Sequence, residues 1–151
     1  MMLEPERLRQ LVSRTLDHYQ ARAVAFWEGT RNHDVEQNIA ALLRHIQVAP
    51  PWTILDFGCG PGRDLKTFVQ RGHRVIGLEG APALAKMARV HSGCEVWQQD
   101  FLGLDLPAAH FDGIFANASL FHVPRQELPR VLRQLHTTLK AGGVLFSSNP
   151  R

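Results

Sequence analysis

Beyond residue 50 the chain alternates between short apolar runs and longer stretches with helical spacing. TILDF (53–57) is a brief apolar run bounded by turn residues, the pattern of a strand buried in a parallel sheet. RDLKTFVQRG (63–72) follows, with Leu65, Phe68 and Val69 on one helical face and Gly72 as its stop. RVIGLE (74–79) predicts a second strand, and PALAKMARV (82–90) a second helix with Pro82 in its first turn. CEVWQQD (94–100) and FDGIFANAS (111–119) predict the third and fourth strands. RQELPRVLRQLHTTLK (125–140) places Leu128, Val131, Leu132, Leu135 and Leu139 at helical spacing, with Pro129 near the start, where it is tolerated. Ala141, Gly142 and Gly143 are expected to end that helix, and VLFSSN (144–149) to form a fifth strand. Repeated strand–helix units imply an α/β fold: a parallel sheet covered on both faces, with right-handed crossovers.

Before residue 50 the pattern is helical. Leu8, Leu11, Val12, Leu16 and Tyr19 mark one stripe, and Val35, Ile39, Leu42, Leu43 and Ile46 a second. Asp34 with Gln37 predicts a capping box for the second helix. YQARAVAFWEGTRNH (19–33) lies between them, and its aromatic and small residues suit either plain packing or a lid over a ligand. One domain is expected over 1–151, with a helical segment at 1–50 and the βα core at 51–151.

Composition narrows the classes. The chain is 44% hydrophobic and 21% charged, with no run long enough to span a membrane and no secretory leader, so a cytoplasmic protein is expected. Its charge of +3 and pI near 9.3 invite a nucleic-acid partner. However, the basic residues are scattered, and no aromatic-and-basic strand pattern occurs, so none is expected. Cys59 and Cys94 lack ligand spacing, and the eight histidines form neither HxxxH nor HExxH, so no metal site is read.

The chemistry concentrates where the first strand runs into Gly58-Cys59-Gly60-Pro61-Gly62. In an open parallel sheet, ligands sit at the carboxyl ends of the strands, and glycines let a ligand approach the backbone. Glu79, ending the next strand, suits the two hydroxyls of an adenosine ribose and would repel a 2′-phosphate. Dinucleotide turns read GxGxxG and aim a helix N-terminus at a pyrophosphate. Here the spacing is GxGxG with Asp56 just before it, which suits a ligand carrying an ammonium and a sulfonium.

ILDFGCGPGRDL resembles the first motif of the class I S-adenosylmethionine-dependent methyltransferases. VIGLEG, QQDF, FDGIFANASLFHVP and LKAGGVLFSSNP resemble four later ones, in order over residues 53–149. The chain looks most like the small-molecule branch that includes the ubiquinone-biosynthesis methyltransferases. The resemblance implies a Rossmann-like doubly wound sheet of strand order 3-2-1-4-5, with S-adenosyl-L-methionine as cofactor and S-adenosyl-L-homocysteine as product. It implies methionine-side contacts from the Gly58, Cys59 and Gly60 backbone, and a hold on the amino group by Asp56, directly or through water. Glu79 would take the ribose hydroxyls, with Gly80 and Ala81 near the adenosine. Asp100 would accept from the adenine amino group, with Phe101 flanking the ring. Asn117 and Ala118 would face the methionine portion and the substrate entrance, and Tyr19 and Phe26 would close over the cofactor.

Methyl transfer is an in-line displacement that asks mainly for alignment and exclusion of water. His122 is the candidate base, set a few residues past the fourth strand; a capping or packing histidine is the alternative. Asn117-Ala118-Ser119-Leu120 lacks the Asn/Asp-Pro-Pro-aromatic pattern of enzymes that methylate amino groups of DNA or protein glutamine, so a small-molecule acceptor is expected. Two alternatives stay open: a module that binds the cofactor without catalysis, and an NAD-dependent oxidoreductase, which the GxGxG spacing and Asp56 disfavour. The family's sheet continues past the fifth strand with a helix and an antiparallel pair, which are absent here. A truncated chain, or a homodimer or partner covering the fifth-strand edge, is therefore expected.

Overall fold

The computed structural model describes residues 2–25 and 34–149. Phe26, expected over the cofactor, lies outside these residues, as do Trp27 and His33. The described elements are helices α1 (Pro5–Ala21) and α2 (Glu36–Leu43), then β1 (Thr53–Phe57), α3 (Arg63–Gln70), β2 (Arg74–Leu78), α4 (Pro82–Ser92) and β3 (Val96–Trp97). After them come β4 (Phe111–Asn117), two 3-10 turns (Leu120–His122 and Arg125–Glu127), α5 (Leu128–Thr138) and β5 (Leu139–Ser148). All strand pairs are parallel, in the order β3-β2-β1-β4-β5. This is the Rossmann-like arrangement expected from the sequence.

The alternation of side chains along β1 assigns the two layers. Ile54 faces a core of Ile39 and Leu42 from α2, Leu65 and Phe68 from α3, and Ala85 and Ala88 from α4. Leu55 and Phe57 face the opposite layer, with Ile76, Leu78, Ile114 and the α5 residues Val131 and Leu135. Period two therefore turns Asp56 toward the α2–α4 side, at the carboxyl end of the central strand. A smaller cluster ties α1 to α4 through Leu16, Tyr19, Ala81, Leu84 and Met87.

Four local expectations need correction. The third strand covers only Val96–Trp97, because Asp100 turns the chain away by accepting the Leu102 and Gly103 N–H groups, each at 2.8 Å. The helix expected over 125–140 begins as a 3-10 turn and becomes α-helical at Leu128, where Pro129 in the first turn has no N–H to satisfy. It ends at Thr138, and Ala141-Gly142-Gly143 is a bulge inside β5: Leu139 pairs with Phe111, and Val144 already pairs with Gly113. The Asp34–Gln37 capping box does not form, because Asp34 Oδ1 accepts the Glu36 N–H at 2.9 Å and Val35 holds the N-cap position.

Candidate active site

The loops after β1, β2 and β4, the turn around Asp100 and one face of α1 line a cavity of about 210 Å³. Of the residues singled out in the sequence, Tyr19, Gly58, Cys59, Gly60, Glu79, Gly80, Asp100, Phe101, Asn117, Ala118 and His122 line it. Asp56 and Ala81 do not: both are buried just behind the lining.

Gly58 is a point of close approach between two loops of the site. Its φ is +76°, and a Cβ there would stand 2.7 Å from Ser119 Cβ and 3.3 Å from the Phe101 ring, so only glycine lets β1 turn under the β4 loop. The turn is fixed by its own amides. The Gly58 and Cys59 N–H groups both donate to the Leu78 carbonyl, at 2.9 and 3.0 Å, and Gly62 donates to the Cys59 carbonyl at 3.2 Å. The Gly60 N–H donates to Glu79 Oε1 at 3.0 Å, while Ala81 donates to Glu79 Oε2 at 2.9 Å. Glu79 thus clamps the glycine turn to the end of β2 and keeps lone pairs on both oxygens for a ligand.

Asp56 is 3% exposed, and its Oδ2 has no hydrogen-bond partner among the described residues. Burial holds its carboxyl well above the ordinary carboxylate range, reinforced by the nearby Asp64 charge and opposed by Arg63. Arg63 and Asp64 line the cavity as a bidentate pair at 2.9 and 3.2 Å. Burial also raises Glu79, against the pull of the Ala81, Gly60 and Gly80 N–H groups. The buried Cys59 thiol is pushed up by desolvation and then by Asp56 and Glu79, so it is a neutral wall rather than a nucleophile.

On the adenosine-facing side expected from the sequence, Asp100 spends Oδ1 on Leu102 and Gly103, and Oδ2 has no partner among the described residues. Phe101 stacks on Phe57 with ring centroids 4.2 Å apart. Across the cavity, Tyr19 Oη lies 2.9 Å from His122 Nε2, joining α1 to the turn after β4. Burial lowers the His122 pKa from 6.5 and raises that of Tyr19 from 10.0, so at neutral pH both are uncharged.

Several lining residues escaped the sequence reading: Thr15 on α1, the Arg63–Asp64 pair, Gln99 and Ser119. Arg63 and Asp64 follow the glycine turn directly, which was a usable signal. Thr15 gave none, because only the packing of α1 against Gly80 brings it here; Leu16 Cδ2 lies 2.6 Å from where a Gly80 Cβ would stand.

A family model described as a methyltransferase domain matches residues 54–143, from β1 into the bulge of β5. The chain belongs to this methyltransferase domain family. Among curated members, it is 35% identical over 114 residues to a trans-aconitate 2-methyltransferase from Azoarcus sp., covering 73% of this chain and 44% of that one. It is 33% identical over 106 residues to a ubiquinone biosynthesis O-methyltransferase from Xanthomonas campestris, covering 66% and 43% respectively. The chain therefore spans less than half the length of these methyltransferases. Its fold matches the Burkholderia thailandensis 1,6-didemethyltoxoflavin-N1-methyltransferase, solved with S-adenosylhomocysteine, at a TM-score of 0.72 and 23% identity over 96% of this chain and 64% of that one. No metal-binding cluster occurs among the described residues, and no helix there is long and apolar enough to cross a membrane.

Proposed function

We propose that this pocket binds S-adenosyl-L-methionine and that the chain methylates a small-molecule acceptor, leaving S-adenosyl-L-homocysteine. The observation that carries the proposal is how the glycine turn spends its amides. Gly58, Cys59, Gly60 and Gly62 all give their N–H groups to protein oxygens, and Pro61 has none. A pyrophosphate would find no row of donors there. Behind the turn stands Asp56, a buried carboxyl with an unpartnered oxygen, and beside it Glu79 and Asp64. This set fits a cationic, phosphate-free ligand end.

The remaining residues fit the adenosyl end. Glu79 holds lone pairs for the ribose hydroxyls, Asp100 Oδ2 accepts from the adenine amino group, and Phe101 flanks the ring. Gly80 lets Leu16 of α1 pack close beside the adenosine side, and Ala81 acts through Glu79. Asn117, Ala118 and the Gly58–Gly60 backbone line the methionine side, and Tyr19 closes the pocket from α1. The cofactor supplies a methyl carbon activated by a sulfonium. The chain's part is to shut out water and to take a proton where the acceptor must lose one. His122, neutral at pH 7 and inside the pocket, takes that proton on Nδ1, while its Nε2–H donates to the Tyr19 hydroxyl oxygen.

An acceptor of metabolite size is supported by relatives named for trans-aconitate and for ubiquinone biosynthesis. Incubation with methyl-labelled cofactor and a panel of small hydroxy and carboxylic acids should label one of them. Tight S-adenosylhomocysteine binding with no acceptor labelled would favour a binding module instead. The outer edge of β5 pairs with no other strand among the described residues. A second copy of the chain is the proposed cover, and light scattering from a well-folded monomer would remove it.

A further inference from the structure

At the end of β4 the pocket wall rests on an unusual piece of backbone. Ala118 lines the cavity with φ at +53°, a left-handed conformation that costs an L-residue with a Cβ. Two elements outside the pocket hold it there. The Ala118 N–H donates to both the Ser148 carbonyl, at 3.1 Å, and the Ser148 hydroxyl oxygen, at 3.0 Å. That hydroxyl in turn donates to Asn117 Oδ1 at 2.7 Å. Asn38 Nδ2, from α2, donates to the same Oδ1 at 2.8 Å. The register of the sheet brings this about, because Asn117 and Ser148 are direct partners across β4 and β5.

Two consequences follow from the inventory of donors. Both lone pairs of Asn117 Oδ1 are occupied, so the side chain keeps only its Nδ2 hydrogens to offer a ligand. The carboxamide is therefore oriented, as a donor, by residues that do not line the pocket. In addition, the strained turn at Ala118 is secured by Ser148 rather than by anything in its own loop.

We infer that Asn38 and Ser148 are positioning residues of the methionine-side wall: together they hold Asn117 as a hydrogen-bond donor and Ala118 in its left-handed turn, and neither touches the ligand. The inference rests on the proposed cofactor reading of the pocket, and its test separates the two.

The experiment is calorimetric titration of S-adenosylhomocysteine into the wild-type chain, Asn38→Ala, Ser148→Ala, and Ser148→Ala combined with Ala118→Gly, with a thermal melt of each. Both single variants should bind about tenfold more weakly, the loss expected of one or two hydrogen bonds that hold a strained wall. Glycine adopts a positive φ without steric cost, so Ala118→Gly should restore most of the affinity lost in Ser148→Ala. A residue that only supports the fold would lower the melting temperature without that rescue. A wild-type chain that binds no S-adenosylhomocysteine would overturn the pocket reading and this inference with it. Wild-type binding with both single variants unchanged, or with no rescue by Ala118→Gly, would overturn this inference alone. If Ser148→Ala fails to fold, Asn38→Ala decides, because it leaves the β4–β5 bonds intact.

Discussion

Tyr19 Oη and His122 Nε2 meet at 2.9 Å, with their rings edge to face at 5.3 Å. The contact is the point where α1, outside the sheet, reaches the turn after β4. Its two groups answer burial in opposite directions, and both end uncharged at neutral pH. Tyr19→Phe keeps the ring and removes the hydroxyl, so it should cost about 1 kcal/mol, roughly fivefold in turnover or KM. His122→Ala should lower turnover by about a hundredfold or more if the acceptor must be deprotonated. Because the folded His122 pKa lies below 6.5, the acid limb of the wild-type rate profile should fall below that value and vanish in the alanine variant. An unchanged profile would remove His122 as a base.

Asp56 gives a second, opposite pH signature. Its folded pKa stands above the ordinary 3.8, so the unfolded chain releases this proton first. Asp56 therefore costs nothing below 3.8 and lowers stability as pH rises from there through its folded pKa. Asp56→Asn should melt higher than wild type at neutral pH and yet bind S-adenosylmethionine more weakly. In the wild-type protein a bound cation favours the ionised form, so affinity should rise with pH over that window and binding should release a proton. Titrations in two buffers of different ionisation enthalpy measure that release; a proton count of zero would contradict the role given to Asp56.

Glu79→Gln keeps the shape and replaces one acceptor oxygen by a donor facing a backbone N–H. The loss of either the Gly60 or the Ala81 bond should cost about 1–3 kcal/mol of stability. S-adenosylhomocysteine affinity should fall about tenfold, since one of the two ribose acceptors goes with it. A melt and a titration on the same sample check both.

Gly58 and Gly72 both hold positive φ, at +76° and +87°, but only at Gly58 would a Cβ collide, while Gly72 has nothing within 4 Å. Gly72→Ala should cost about 1–2 kcal/mol from backbone strain alone. Gly58→Ala should add about 1–3 kcal/mol from overpacking against Ser119, and it alone should weaken cofactor binding. Equal effects of the two on binding would place the cofactor elsewhere.

The βα pattern was legible because strand and helix periods differ and because each turn carries its own glycine or proline. What the sequence hid was decided between elements. Asp100 turns the third strand aside after two residues, through bonds to amides further along. The bulge in β5 reads as a helix stop until its pairing with Phe111 and Gly113 is seen. At the site, the spacing of Gly58, Gly60 and Glu79 was enough to place them in one pocket. That the turn's amides are already spent on Leu78 and Glu79 was not readable, because those partners lie on another strand. The sequence points to Asp56 for the ligand's amino group, directly or through water; that period two in β1 buries it behind the cavity lining emerges only from the packing of the strand.

The central claim is that the pocket takes a cationic adenosyl ligand and rejects a dinucleotide. Parallel calorimetric titrations of the wild-type chain with S-adenosylmethionine, S-adenosylhomocysteine and NAD test it directly. The expected result is one site for each of the first two and no heat of binding with NAD. Saturable NAD binding, with neither S-adenosyl compound binding, would contradict it.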